Sequence, residues 1–147
     1  MKIKIAWIGK TKEPAIQSLT DEYLQRIARY AQVEGIPLRD EMALLGLSAD
    51  RGGSKPKLVL LDGKGKQLSS EELAKFLDEH QHCSPQPLLF AIGPADGFSD
   101  AARRASTLTI SLGKMTFAHE IARVVLLEQI YRAFTILKGH PYHLGHR

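Results

Sequence analysis

The sequence predicts an α/β domain built on a mostly parallel sheet flanked by helices. Three observations predict it. Short apolar runs alternate with segments of helical periodicity along the chain. Two of the runs, Leu58–Leu61 and Leu88–Ile92, are apolar at consecutive positions, the mark of strands buried on both faces. Glycines at 63, 93 and 113 follow three of the runs, so loops fall where parallel strands would end at their carboxyl side, the usual place for a ligand.

The elements follow in order. Residues 2–8, KIKIAWI, alternate with period two and put Ile3, Ile5 and Trp7 on one face of a strand. After the loop GKTKEP, apolar residues Ile16, Leu19, Tyr23, Ile27 and Tyr30 recur at steps of three and four. With Pro14 where a helix start tolerates it, residues 14–31 read as an amphipathic helix. VEGIPLRDE contains Pro37, which allows an edge strand at best. Residues 46–57 carry glycines and a proline and read as an exposed loop, so the segment 37–58 is expected to lack a helix. KLVLLDGKG is an apolar run ending in a glycine loop. Ser69, Ser70, Glu71 and Glu72 then form a capping box, and Leu73, Phe76 and Leu77 face a core. PLLFAIGPADG repeats the pattern of run and loop, and Ser99 opens a short helix carrying Arg103 and Arg104. STLTISLGK supplies the third run, a long helix spans Ala118 to Lys138, and GHPYHLGHR is the tail.

A length of 147 residues suits one domain over 1–147, and 44% hydrophobic with 24% charged residues is an ordinary globular balance. No apolar run is long enough to span a bilayer, and the opening MKIKIAWIGK is too short and too alternating for a signal peptide. Cys83 is the single cysteine, so an intrachain disulfide is excluded and a reducing cytoplasm fits. The net charge of +4 permits a nucleic-acid partner without requiring one. The long helix is apolar around most of its circumference, which predicts burial on most sides: one side on its own sheet, the other on a second copy of the chain. Arg123, Glu128, Gln129 and Arg132 would form polar seams in that homodimer.

Several tempting motifs fail. GKT at Gly9–Thr11 would end a phosphate-binding loop only with a glycine where Lys4 stands. Gly63-Lys64-Gly65 would open a dinucleotide fingerprint only with a glycine in place of Leu68. HQHC at 80–83 lacks a second ligand pair, and His140, His143 and His146 are interrupted by Pro141 and Gly145, so no metal is expected.

Four stretches in this order, LSSEELA, IGPADG, SLGKMTFAHEIARVVLLEQIYRAF and HPYH, resemble the RlmH (YbeA) family of the SPOUT superfamily. These are methyltransferases that modify N3 of a pseudouridine in 23S ribosomal RNA. The resemblance implies a homodimer with a C-terminal trefoil knot that holds S-adenosylmethionine, acting in the cytoplasm on ribosomal RNA in the ribosome, without metal or membrane. It carries the cofactor contacts to Leu61, Gly93, Leu112, Gly113, Lys114, Met115, Thr116 and Phe117. Leu61, Leu112, Met115 and Phe117 would wall an adenine slot, and Gly93 and Gly113 would let backbone approach. It makes the tail catalytic: Tyr142 to stack on an unpaired base, His143 to handle the N3 proton and Arg147 to hold a phosphate. Arg103, Arg104 and Lys138 are further candidates for RNA contact. The chain departs from the family pattern at Pro94 and Ala118, in the shorter segment 37–58, and in a tail that continues past Tyr142-His143 as LGHR. Two other readings share these residues: a non-catalytic ribosome-binding factor, and a related knotted methyltransferase acting on transfer RNA.

Overall fold

The computed structural model describes residues 1–49, 55–94 and 96–146. Within these residues five strands form one sheet: β1 (Lys2–Ile8), β2 (Gln32–Leu38), β3 (Lys57–Gln67), β4 (Leu88–Ile92) and β5 (Leu108–Ser111). Their spatial order is β2-β1-β4-β3-β5, and every pair is parallel. Among the described residues six helices connect and flank them: α1 (Pro14–Ile27), α2 (Glu41–Ser48), α3 (Ser70–Cys83), α4 (Asp100–Ala105), α5 (His119–Leu137) and α6 (Tyr142–Gly145).

Side-chain alternation divides the core into two layers. Ile3, Ile5 and Trp7 of β1 and Leu88, Phe90 and Ile92 of β4 face one layer, with Ile27 of α1, Leu77 of α3 and Leu126, Ile130 and Phe134 of α5. Ala6, Leu58, Leu60, Leu89 and Ala91 face the other, under Leu44 of α2 and Ala102 of α4. Central strands buried on both faces are what their consecutive apolar residues predict. Pro37 sits in β2, an edge of the sheet, where its missing N–H disturbs no second ladder. The capping box of α3 forms as expected: Ser69 Oγ accepts from Glu72 N at 3.0 Å and Glu72 Oε1 from Ser69 N at 2.9 Å.

Three expectations are corrected. The segment 37–58 contains a helix, α2, capped by Asp40 Oδ1 accepting from Ala43 N at 3.0 Å, with Leu44 fully buried. Of the residues that argue for a loop, Gly46 lies inside α2 and only the later glycines and Pro56 follow it; residues 50–54 fall outside the described residues. β3 does not end in a loop at Gly63. It runs on to Gln67 after a register shift between Leu61 and Lys66, and its tip pairs with Ile110 and Ser111. Gly65 permits this, because a Cβ there would stand 2.6 Å from the Ile110 backbone.

The third concerns α5. It packs against both α1 and α3 as well as the sheet, so one protomer already buries most of its circumference. Burial all round is therefore no argument for a second copy. Arg123, expected in a polar seam between copies, is buried at 1% exposure within the chain. Among the apolar side chains that remain exposed are Ile121 of α5 at 50%, Phe117 just before it at 38% and, on α1, Leu19 at 39%.

Candidate active site

The sheet order brings three expected ligand-binding segments together. β4, β3 and β5 are adjacent, and Leu61 pairs with both Ile92 and Ile110. Gly93 directly follows Ile92 and Leu112 follows β5, so Leu61, within β3, sits beside the carboxyl ends of β4 and β5 and shares one corner with Gly93 and Leu112. Ser111 shapes the turn out of β5: its Oγ donates to Gly113 O at 2.8 Å and accepts from Gly113 N at 3.2 Å. Gly113 has φ of +142°, a conformation that favours glycine.

Beyond that turn, Lys114, Met115, Thr116 and Phe117 are exposed, Met115 to 81%. The backbone N–H groups of these four residues find no acceptor among the described residues. Neither Met115 nor Phe117 is a core residue, and neither lines a closed slot in this arrangement. Gly93 has a role that sequence reasoning missed. Its space is taken by Phe98, whose ring carbons lie 2.8 Å from where a Cβ would be. Beside this corner is a cleft of about 280 Å³. Leu68, Leu73, Ile110 and Leu112 wall it, and Ser70 and Gln129 meet at it, Ser70 Oγ donating to Gln129 Oε1 at 2.6 Å.

The tail is folded back onto α5 as the short helix α6. Tyr142 packs edge-on against Tyr131, with centroids 4.8 Å apart, and stacks on His146 at 4.4 Å. Its hydroxyl donates to Glu128 Oε2 at 2.6 Å. Burial first, and Glu128 second, push the Tyr142 pKa up from its ordinary value. Tyr142 is thus packed in place, not a free ring splayed for stacking. His143 has both ring nitrogens engaged, Nδ1 with Arg132 NH1 at 2.9 Å and Nε2 with Glu71 Oε1 at 2.8 Å. Arg132 also donates to both carboxylate oxygens of Glu128, at 3.2 and 2.9 Å, and to His146 O at 3.1 Å. Glu71's carboxyl is held below its usual range, by its own backbone N–H first and by His143 next. Arg147 lies outside the described residues.

Glu71, Glu128 and Arg132 therefore join Tyr142 and His143 in one network. The i,i+4 spacing of Glu128 and Arg132 on a helix is a readable signal. Glu71 stands 72 positions from His143, and no sequence signal joins them.

The remaining candidates separate. Arg103 NH2 donates to Asp62 Oδ2 at 2.9 Å, tying α4 to β3. Burial works against the Asp62 charge, yet the Lys64 backbone N–H and Arg103 outweigh it and hold this carboxyl below its usual range. Arg104 and Lys138 are exposed. His80 bonds Gln86 O through Nε2 at 2.6 Å while His82 bonds Asp78 O at 2.8 Å, so these two rings serve separate local contacts. Among the described residues no helix is long and apolar enough to cross a membrane.

Comparison with known proteins gives a consistent result. The family described as "Predicted SPOUT methyltransferase" matches residues 1–143. The Ribosomal RNA large subunit methyltransferase H of Koribacter versatilis is 56% identical over 146 residues, covering 99% of this chain and 100% of that protein. The protein of the same name from Geotalea daltonii is 45% identical, covering 97% of this chain and 99% of its own. Among solved structures, the tRNA (m1G37) methyltransferase of Aquifex aeolicus superposes with a TM-score of 0.55 at 18% identity, over 90% of this chain and 70% of that one. The SpoU methyltransferase AviRb of Streptomyces viridochromogenes, solved with AdoMet, gives 0.52 at 14% identity, over 89% of this chain and 57% of that one. The structural likenesses establish the shared fold.

Proposed function

Since the chain belongs to the SPOUT methyltransferase family, we propose that it methylates large-subunit ribosomal RNA, at N3 of a pseudouridine, with S-adenosylmethionine as donor. The observation that carries this reading is the 56% identity, over essentially the full length of both chains, to a protein named for that RNA. The corner formed by Leu61, Gly93 and residues 112–117 suits a nucleoside: it offers exposed apolar Met115 and Phe117, and backbone N–H groups without acceptors among the described residues.

When bound, the donor supplies an electrophilic methyl on a sulfonium that departs as a neutral thioether. The chain's task is alignment and proton handling. The glycine turn at 111–113 aims the segment 114–117, and holding both reactants in line supplies a large share of the rate. N3 of the base must lose its proton as it attacks. His143 handles that proton, Tyr142 fixes the tail on α5, and Arg147 holds phosphate. The active unit is a homodimer with a trefoil knot at the C-terminal strands, in which each tail completes the partner's pocket. The exposed Ile121, Phe117 and Leu19 support an interface beside α5.

The test is methyl transfer from labelled S-adenosylmethionine to ribosomes, isolated large subunits and transfer RNA that lack the modification, with the product base identified by mass spectrometry. Label on pseudouridine of ribosomes or large subunits is expected. Label confined to transfer RNA would replace the substrate, and absent label with intact ribosome binding would favour a non-catalytic factor. Deleting residues 141–147 should leave calorimetric cofactor affinity nearly intact and abolish transfer, while Leu144→Ala, on a side chain 65% exposed, should cost little.

A further inference from the structure

The protonation form of His143 can be read from its partners. A guanidinium has N–H donors and no acceptor, and it keeps its proton at any accessible pH. Arg132 NH1 at 2.9 Å therefore donates to Nδ1, which must be the bare nitrogen. The ring proton then sits on Nε2 and is donated to Glu71 Oε1 at 2.8 Å. Arg132 cannot slip away freely, since Glu128 grips it through two further hydrogen bonds. Three elements, α3, α5 and α6, thus converge on one imidazole and specify a single neutral tautomer.

We propose that Glu71 is a positioning residue for His143: it holds the ring in the Nε2–H tautomer with Nδ1 reserved for the proton of the target base. This rests on the methyltransferase reading above. As the base arrives, Arg132 NH1 gives up Nδ1. The proton leaves N3 for Nδ1 as the N3 electron pair takes the methyl, and the pair of the broken carbon–sulfur bond stays on sulfur. The imidazolium so formed faces the Glu71 carboxylate through Nε2–H, which stabilises it where it appears. The Arg132–Glu128 pair is the gate that keeps Nδ1 capped until then.

Glu71 can be changed without unfolding α3, because the capping box uses Ser69 and Glu72. The experiment compares wild type, Glu71→Ala and Glu71→Gln by 15N NMR of histidine-labelled protein and by steady-state kinetics. Wild-type His143 is expected to show a protonated Nε2 and a bare Nδ1. Glu71→Ala leaves Arg132 on Nδ1 but removes the acceptor of Nε2–H, so the Nε2–H signal should shift and exchange faster with water and kcat should fall roughly tenfold, with the KM for S-adenosylmethionine unchanged. Glu71→Gln should keep the tautomer, its amide oxygen still accepting, yet lower kcat, because a neutral amide stabilises an imidazolium less. The proposal is overturned by a wild-type proton on Nδ1, or by a Glu71→Ala protein in which the Nε2–H signal and kcat do not both change. It is also overturned by a Glu71→Gln protein with wild-type kcat. A wild type that methylates no RNA would instead defeat the functional reading, and an intact tautomer would then mark a structural clamp.

Discussion

The guanidinium of Arg123 sits over the indole of Trp7, its Cζ 4.1 Å from the ring centroid, with no carboxylate of the described residues in ion-pair range. Its NH1 donates to Thr20 Oγ1 at 3.3 Å, while its Nε and the Trp7 Nε1 find no acceptor among the described residues. Burial pushes the Arg123 pKa down, offset in part by Glu120. A cation–π contact of this kind returns about 2 kcal/mol, against a desolvation cost of several kcal/mol.

The first prediction follows from that imbalance. Arg123→Met, similar in length and apolar, should match or exceed wild-type stability, by up to about 1 kcal/mol. Arg123→Ala leaves a cavity under α5 and should lose about 2–3 kcal/mol. Denaturant unfolding of both variants checks this. A Met variant as unstable as the Ala variant would show that the charge itself stabilises the fold.

Tyr142 makes alkaline stability informative. Its pKa is raised in the folded state, by burial first and Glu128 second. The folded chain therefore holds this proton more tightly than the unfolded chain, whose tyrosine titrates near about 10. The stabilisation is fully present below about pH 10 and is lost as pH rises toward the folded value. Tyr142→Phe removes the hydroxyl bond to Glu128 and should cost about 1–2 kcal/mol at pH 8. The difference in Tm between wild type and variant should shrink from pH 10 upward. A gap that stays constant to pH 11.5 would contradict the coupling to Glu128.

At Gly93 the structure separates two explanations for one glycine. A Cβ there meets the Phe98 ring at 2.8 Å before it meets anything bound. Gly93→Ala should destabilise the protein by about 1–3 kcal/mol through overpacking. Adding Phe98→Leu should recover part of the loss, the coupling expected of residues in contact. If Gly93→Ala is fully stable but binds S-adenosylmethionine poorly, the glycine serves the ligand alone.

Arg103 and Arg104, neighbours in sequence, should behave differently. Arg103→Ala breaks the contact with Asp62 and should reduce stability by about 1 kcal/mol. Arg104→Ala should leave stability unchanged and lower the slope of ribosomal RNA affinity against salt by about one counterion. Unfolding curves and salt-dependent binding of the two variants decide it. Equal salt slopes for wild type and Arg104→Ala would remove Arg104 from the RNA surface.

Much of the fold is legible because its signals are local. The period-two run at Lys2–Ile8, the capping box at Ser69–Glu72 and the apolar runs of β3 and β4 each announce their element within a few residues. The helix α2 carries local signals of its own, the Asp40 cap and Leu44, but Gly46 within it and the glycines beyond it mark the same segment as a loop. The three segments of the candidate site were legible as glycine-containing stretches. That Gly63 lies within a strand was not, because the bulge between Leu61 and Lys66 depends on pairing with β5.

By itself, the sequence determined most of the strands and helices, the buried faces of the central strands, and the set of residues available for chemistry, because propensity, capping and periodicity act between near neighbours. Only the tertiary structure decided which residues meet. Glu71 reaches His143, Asp62 reaches Arg103 and Trp7 lies beneath Arg123 across long stretches of chain. Such pairs form when the packing of α1, α3 and α5 on one sheet repays the entropy of closing those loops. Whether α5 is buried by its own protomer, and which groups face the two ring nitrogens of His143, are settled by that packing, since both depend on neighbours that no local pattern names.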